Sequence, residues 1–120
     1  MAMSMNTQTV ERYMEAFRRT DHAAVLACLT DDVEWVIPGA FHTRGKREFD
    51  RQIENEALVG HPDIRMMRVI EENDIVVAEG SVRARRRDGG ALCVVFCDVF
   101  EMRGGLVRKL TSYLMEVKEG

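Results

Sequence analysis

No stretch of this 120-residue chain approaches the roughly 18 consecutive apolar residues that a membrane-crossing helix needs. That excludes a helical membrane protein. The Met1–Met5 lead is too short and too polar for a secretion signal. Cysteine is scarce and odd in number, with Cys28, Cys93 and Cys97. An odd count without a signal reads as free thiols in a reducing compartment, hence a cytoplasmic protein. Cys93 and Cys97 fall on one expected strand about 13 Å apart, too far for a disulfide. No His/Cys set near them completes a metal site, so neither metal nor cofactor is expected. The net charge of −3 lacks the excess of basic residues that nucleic acid attracts. Proline occurs only at Pro38 and Pro62, and tryptophan only at Trp35.

What remains is an ordinary soluble mixture, 46% apolar and 31% charged, of a length that fits one domain. Residues 1–6 read as a disordered lead and residues 7–120 as the domain. Thr7 to Arg19 has helical spacing, with Val10, Tyr13, Met14 and Phe17 on one stripe and Asn6 or Thr7 as cap. Asp21 caps a second helix, His22 to Leu29. A strand then places Val33, Trp35 and Ile37 on one face, with Asp32 and Glu34 on the other, and Pro38-Gly39 ends it. Phe41 and His42 follow on a loop. A third helix runs from Lys46 to about Leu58, and Gly60-His61-Pro62 ends it.

The second half reads as four strands: Ile64 to Glu72, Ile75 to Arg87, Ala91 to Arg103 and Leu106 to Lys118. Asn73-Asp74, Asp88-Gly89 and Gly104-Gly105 separate them as hairpin turns. The expected fold is α+β, three N-terminal helices packed on a strongly curved antiparallel sheet. A two-residue turn at Asp88-Gly89 sets Glu79 opposite Asp98; a turn at Gly89-Gly90 sets Ser81 opposite Asp98. Either turn places Glu79, Ser81 and Asp98 on one face, together with Val94, Phe96, Phe100 and Met102. A carboxylate in an apolar row either finds a partner or takes up a proton. Arg83, Arg85, Arg86 and Arg87 read as a solvated strand end, or as an anion site. His42 is an alternative base at a pocket mouth, whereas His22 and His61 read as surface residues at helix ends.

The segments Val10-Glu-Arg-Tyr-Met-Glu-Ala-Phe, Leu29-Thr-Asp-Asp-Val-Glu-Trp, Pro38-Gly and Asp98-Val-Phe-Glu-Met-Arg-Gly-Gly-Leu-Val resemble the nuclear-transport-factor-2-like superfamily. The resemblance is to its SnoaL-like and ketosteroid-isomerase-like branch. It implies a cone-shaped, cystatin-like roll around an apolar pocket, and a homodimer through the outer face of the sheet. It places Tyr13 and Asp98 at the oxyanion-hole tyrosine and protonated aspartic acid of the ketosteroid isomerases. The general base of those enzymes falls at Ile37, which cannot accept a proton. The Asp–Arg–Asp set of the limonene-epoxide-hydrolase-like branch falls near Glu79, Ser81 and Ser112 and is not reproduced.

The function implied is binding of a small apolar molecule bearing a carbonyl or hydroxyl, with cofactor-free acid/base isomerase, cyclase or hydrolase chemistry. Asp98, Tyr13 and Glu79 are the candidate catalytic residues. Trp35, Ile37, Phe41, His42, Ser81, Phe96, Phe100 and Ser112 are the candidate ligand contacts. The alternative is a non-catalytic ligand-binding or dimerisation module of the same fold.

Overall fold

The computed structural model describes residues 3–118. Three helices, α1 (Met5–Arg18), α2 (His22–Leu26) and α3 (Gly45–Arg51), cover one face of a sheet. Its strands are β1 (Leu29–Ile37), β2 (Phe41–Arg44), β3 (Leu58–Glu72), β4 (Ile75–Arg86), β5 (Ala91–Arg103) and β6 (Leu106–Glu116). They lie in the order β2-β1-β6-β5-β4-β3. Every pair is antiparallel except β1 with β6, which run parallel. The fold class is the one the sequence implied, a helix-covered curved sheet.

The Val10–Tyr13–Met14 stripe of α1 is buried against the sheet. The helix starts at Met5 with Ser4 as its cap, earlier than local sequence suggests. Tertiary contacts explain the early start. Ser4 and Thr7 donate to the Glu71 carboxylate, and the Asn6 amide donates to Asp74 at 3.0 Å. Met5 and Asn6, expected within a disordered lead over residues 1–6, are helical, and Met1 and Ala2 lie outside the described residues.

Asp21 caps α2 as expected, its carboxylate accepting from Ala24 N at 3.1 Å. The helix stops at Leu26, and Leu29 opens β1, drawn into the sheet by its pairing with Val107. Helix α3 also ends early, at Arg51 rather than near Leu58. The Asn55 carboxamide accepts from Ala57 N at 2.8 Å, an Asx turn that competes with helix. Leu58 then pairs with Arg86 in the sheet.

Two segments expected outside the sheet lie in it. Pro38 and Gly39 form a type II turn: Ala40 N donates to Ile37 O at 2.9 Å, and Gly39 has φ +83°. Phe41 to Arg44 folds back on β1 as β2. Gly60-His61-Pro62 lies inside β3, in an irregularity between the Val59–Arg85 and Asp63–Arg83 pairs. Three residues there face one on β4, so the missing N–H of Pro62 breaks no ladder bond.

The β4–β5 register corrects the expected one. Arg86 N donates to Gly90 O, and Gly89 N donates to Arg86 O, both at 3.1 Å. The loop is therefore Arg87-Asp88-Gly89, with Gly89 left-handed at φ +98°. One extra loop residue exchanges the two faces of β4. Ala78 stands opposite Asp98, and Glu79 opposite Cys97. Glu79 and Ser81 thus share a face with each other but not with Asp98.

Candidate functional site

The concave face of the sheet and the inner side of α1 enclose a cavity of about 260 Å³. Helix α1 contributes Tyr13, β1 contributes Trp35 and Ile37, β5 contributes Phe96 and Asp98, and β6 contributes Ser112. Alternation along the strands explains the set. Phe96 and Asp98 point inward with Phe100, and the Asp98–Ser112 pairing puts Ser112 on the same side. Glu54, Gln52 and Asn55, from the chain after α3, form a polar rim.

Asp98 is 8% exposed, and its Oδ1 has no hydrogen-bond partner among the described residues. Burial pushes its carboxyl up to about 7, while hydrogen bonding from Ser112 pulls the other way. Near neutrality this acid is therefore poised between a neutral donor and a charged acceptor. The Trp35 indole Nε1–H donates to Ser112 Oγ at 3.0 Å, in a buried contact. Tyr13, 2% exposed, is held well above the usual phenol range, first by burial and then by the nearby Asp98 charge. The phenol thus stays protonated and can donate.

Aromatic packing fixes these groups. Tyr13 meets Phe100 edge-on at 5.4 Å, and Trp35 stacks on Phe49 at 4.6 Å. Such contacts add roughly 0.5–1.5 kcal/mol each beyond area burial. Polar donors on an apolar, pre-packed wall are the usual anatomy of a small-molecule site.

The other candidate residues are placed differently. Glu79 is on the convex face of the sheet, ion-paired to Arg68 at 3.0 Å, so it cannot act as base beside Asp98. Ser81 pairs with Val95 on that same face. His42 pairs with Val36 rather than sitting on a pocket-mouth loop, and it meets Glu34 at 2.7 Å. Phe41 packs edge-on against Trp35 at 5.2 Å, and Phe100 is fully buried under Tyr13; both support the wall rather than line it. Of the arginine run, Arg86 pairs with Glu116 at 2.7 Å, and Arg87 donates to Glu56 O at 2.9 Å.

One group was missed by sequence reasoning. His22, expected to be a plain surface residue, bridges Asp50 and Glu54 at 2.6 Å each. Only contact of α2 with α3 and the chain just after it brings the three together, and no local spacing signals it. Among the described residues, no group of three or more His, Cys, Asp or Glu side chains is arranged to hold a metal ion.

Comparison with known proteins agrees with this architecture. The SnoaL-like domain family profile matches residues 10–110. No curated protein matches the sequence. An NTF2-like protein of unknown function from Burkholderia pseudomallei has a similar structure, with TM-score 0.84 and 26% identity over 94% of this chain and 92% of that one. TerC, co-crystallised with polyporic acid, superposes with TM-score 0.83 at 22% identity, covering 91% of this chain and 90% of TerC. An LEH-like epoxide hydrolase from M. tuberculosis superposes with TM-score 0.80 at 19% identity, covering 92% and 83%. The two latter likenesses concern the fold. With a profile match across most of its length, the chain belongs to the SnoaL-like domain family of the nuclear-transport-factor-2-like superfamily.

Proposed function

We propose that the cavity binds a small apolar molecule through a carbonyl or hydroxyl oxygen, with Asp98 and Tyr13 as its hydrogen-bond donors. The observation that carries this reading is Asp98 itself, a carboxyl enclosed among aromatic and aliphatic walls with one oxygen unpartnered. A structural acid would be paired; an unpaired buried one is costly unless a ligand or a proton completes it. Two such donors polarise a ligand oxygen and stabilise negative charge developing on it, the basis of cofactor-free isomerase, cyclase or hydrolase chemistry. An epoxide hydrolase is among the chains of the same fold.

A second reading is a ligand-binding module without turnover. It is favoured by the lack, among the described residues, of a second base in the inner wall beside Asp98: Ile37 is apolar and Glu79 points away. Under either reading the chain forms a homodimer through the convex face of the sheet, where Val95, Tyr113 and Met115 are 42%, 54% and 67% exposed. Apolar side chains grouped on one exposed face suit a protein partner.

The test is fluorescence titration with 2-naphthol, whose phenolate resembles an enolate. Wild type is expected to bind it and to change its ionisation, and Asp98→Leu to weaken binding about tenfold or more. Equal binding by wild type, Asp98→Leu and Tyr13→Phe would overturn the proposal.

A further inference from the structure

Helix α1 is capped at Arg19 by a motif that ordinarily calls for glycine next. Thr20 N donates to Phe17 O at 3.0 Å and Asp21 N to Ala16 O at 2.9 Å, the two closing bonds of a Schellman turn. The residue after the cap must then turn left-handed, and Thr20 does so at φ +54°. For a β-branched side chain that conformation is strained. What glycine would lack is the hydroxyl, and the Thr20 hydroxyl is hydrogen-bonded to His61 Nδ1 at 2.9 Å.

His61 reaches this bond through an irregularity of its own. It sits between Gly60, left-handed at φ +73°, and Pro62, where β3 departs from its ladder with β4. Thr20, Gly60 and Pro62 all line the cavity, and the exposure of Gly60 and Glu54 to solvent marks its entrance. Two residues beyond Thr20, His22 meets Glu54 at 2.6 Å. The α1–α2 turn is thus bonded to both other segments of the rim, the chain after α3 and the β3 irregularity. A strained helix end and an irregular strand meet in one side-chain bond at the entrance.

We propose that Thr20 is a specificity-determining residue: through His61 it latches the cavity entrance at a fixed width, so that narrow ligands pass more readily than broad ones of equal volume. The proposal rests on the reading of the cavity as a ligand site. Widening the rim requires the Thr20–His61 bond to open, so entry and exit both wait on it. The bond therefore governs the rates of exchange more than the affinity.

The experiment uses two isomeric phenols, 2-anthrol, which is linear, and 9-phenanthrol, which is angular and broader. Their association is followed by stopped-flow fluorescence. Acrylamide quenching of Trp35 reports on the entrance without a ligand, since this sole tryptophan lines the cavity and is 7% exposed. Wild type is expected to take up 2-anthrol faster than 9-phenanthrol. Thr20→Gly loses one hydrogen bond, so 9-phenanthrol should enter about fivefold faster and the two rates should converge. Quenching of Trp35 should rise in the same variant. Its melting temperature should stay level or rise, because glycine relieves the left-handed strain. His61→Ala should open the entrance from the other side of the bond. Thr20→Ser, which keeps the hydroxyl, should behave as wild type.

Equal entry of the two isomers into wild type, or a rate ratio and quenching unchanged in Thr20→Gly, would overturn the latch and leave the ligand site standing. A lower melting temperature in Thr20→Gly with unchanged quenching would mark the bond as a structural staple and also overturn the latch. Phenols bound by neither wild type nor variants would overturn the ligand site and the selection at its entrance together.

Discussion

His22 holds Glu54 at the rim of the cavity, Nε2 to Oε2 at 2.6 Å, while its Nδ1 meets Asp50 at the same distance. The imidazole thereby ties the start of α2 to the end of α3 and to the cavity entrance. Hydrogen bonding to Asp50 and then Glu54 raises its basicity above that of a free histidine. A group whose proton affinity is raised on folding contributes stability that is complete below its unfolded value. That contribution is lost as pH rises through the folded value. Thermal melts of wild type and His22→Gln should therefore differ most at acid pH, and the difference should shrink as pH rises above neutrality. A constant difference across that range would contradict the ion-pair role.

Asp98 gives a second pH dependence of the same sign and a different origin. Its folded midpoint of about 7 lies above the ordinary 3.8, so the native state holds a proton that the unfolded chain has released. Stability then falls as pH rises between these values, by up to about 4 kcal/mol. Asp98→Asn removes the titrating group. Denaturant unfolding at several pH values should show wild type losing stability from pH 4 to 7 relative to this variant, with no further relative loss above about pH 8.

Gly80 is opposite Phe96, and a Cβ at this position would meet Phe96 Cζ at 2.6 Å and the Arg65 carbonyl oxygen. Gly80→Ala must displace the ring that lines the cavity. The expected cost is about 1–3 kcal/mol of stability, with weaker probe binding from a narrowed cavity. Chemical denaturation and a naphthol titration on the same preparation check both.

Phe49 is fully buried and stacks on Trp35. Phe49→Ala should cost about 3–5 kcal/mol. Because Trp35 is the sole tryptophan, the same variant should also shift the intrinsic emission of the native state. An unmoved spectrum would contradict the stack.

The convex face carries the prediction for assembly. Tyr113→Glu puts a charge in the middle of its exposed apolar group and should convert a dimer to a monomer in sedimentation velocity. Wild type that sediments as a monomer at micromolar concentration would contradict the dimer.

How much of this was legible in the sequence depended on which interactions fix each part. The inward row of β5, including Asp98, follows from two-residue alternation and needs only local pattern. The inner stripe of α1 follows from helical period, and so does Tyr13 on it. The face of Glu79 does not follow, because parity across a hairpin depends on whether its loop has two residues or three. Arg87-Asp88-Gly89-Gly90 permits either, and the backbone bonds at Arg86 decide it. A like limit hid β2, a short strand formed by its pairing with β1. Ser112 could be named from family resemblance, but its bond to Trp35 joins residues far apart in sequence. His22, Asp50 and Glu54 likewise meet only through helix packing.

The account turns on Asp98 being an acid that burial keeps protonated close to neutrality. Its carboxyl carbon can be followed directly by ¹³C NMR across pH 3 to 9, with Asp98→Asn identifying the resonance. The predicted midpoint is about 7. A midpoint at the ordinary 3.8 would show a solvated carboxylate, and with it would go the neutral donor and the polarised cavity.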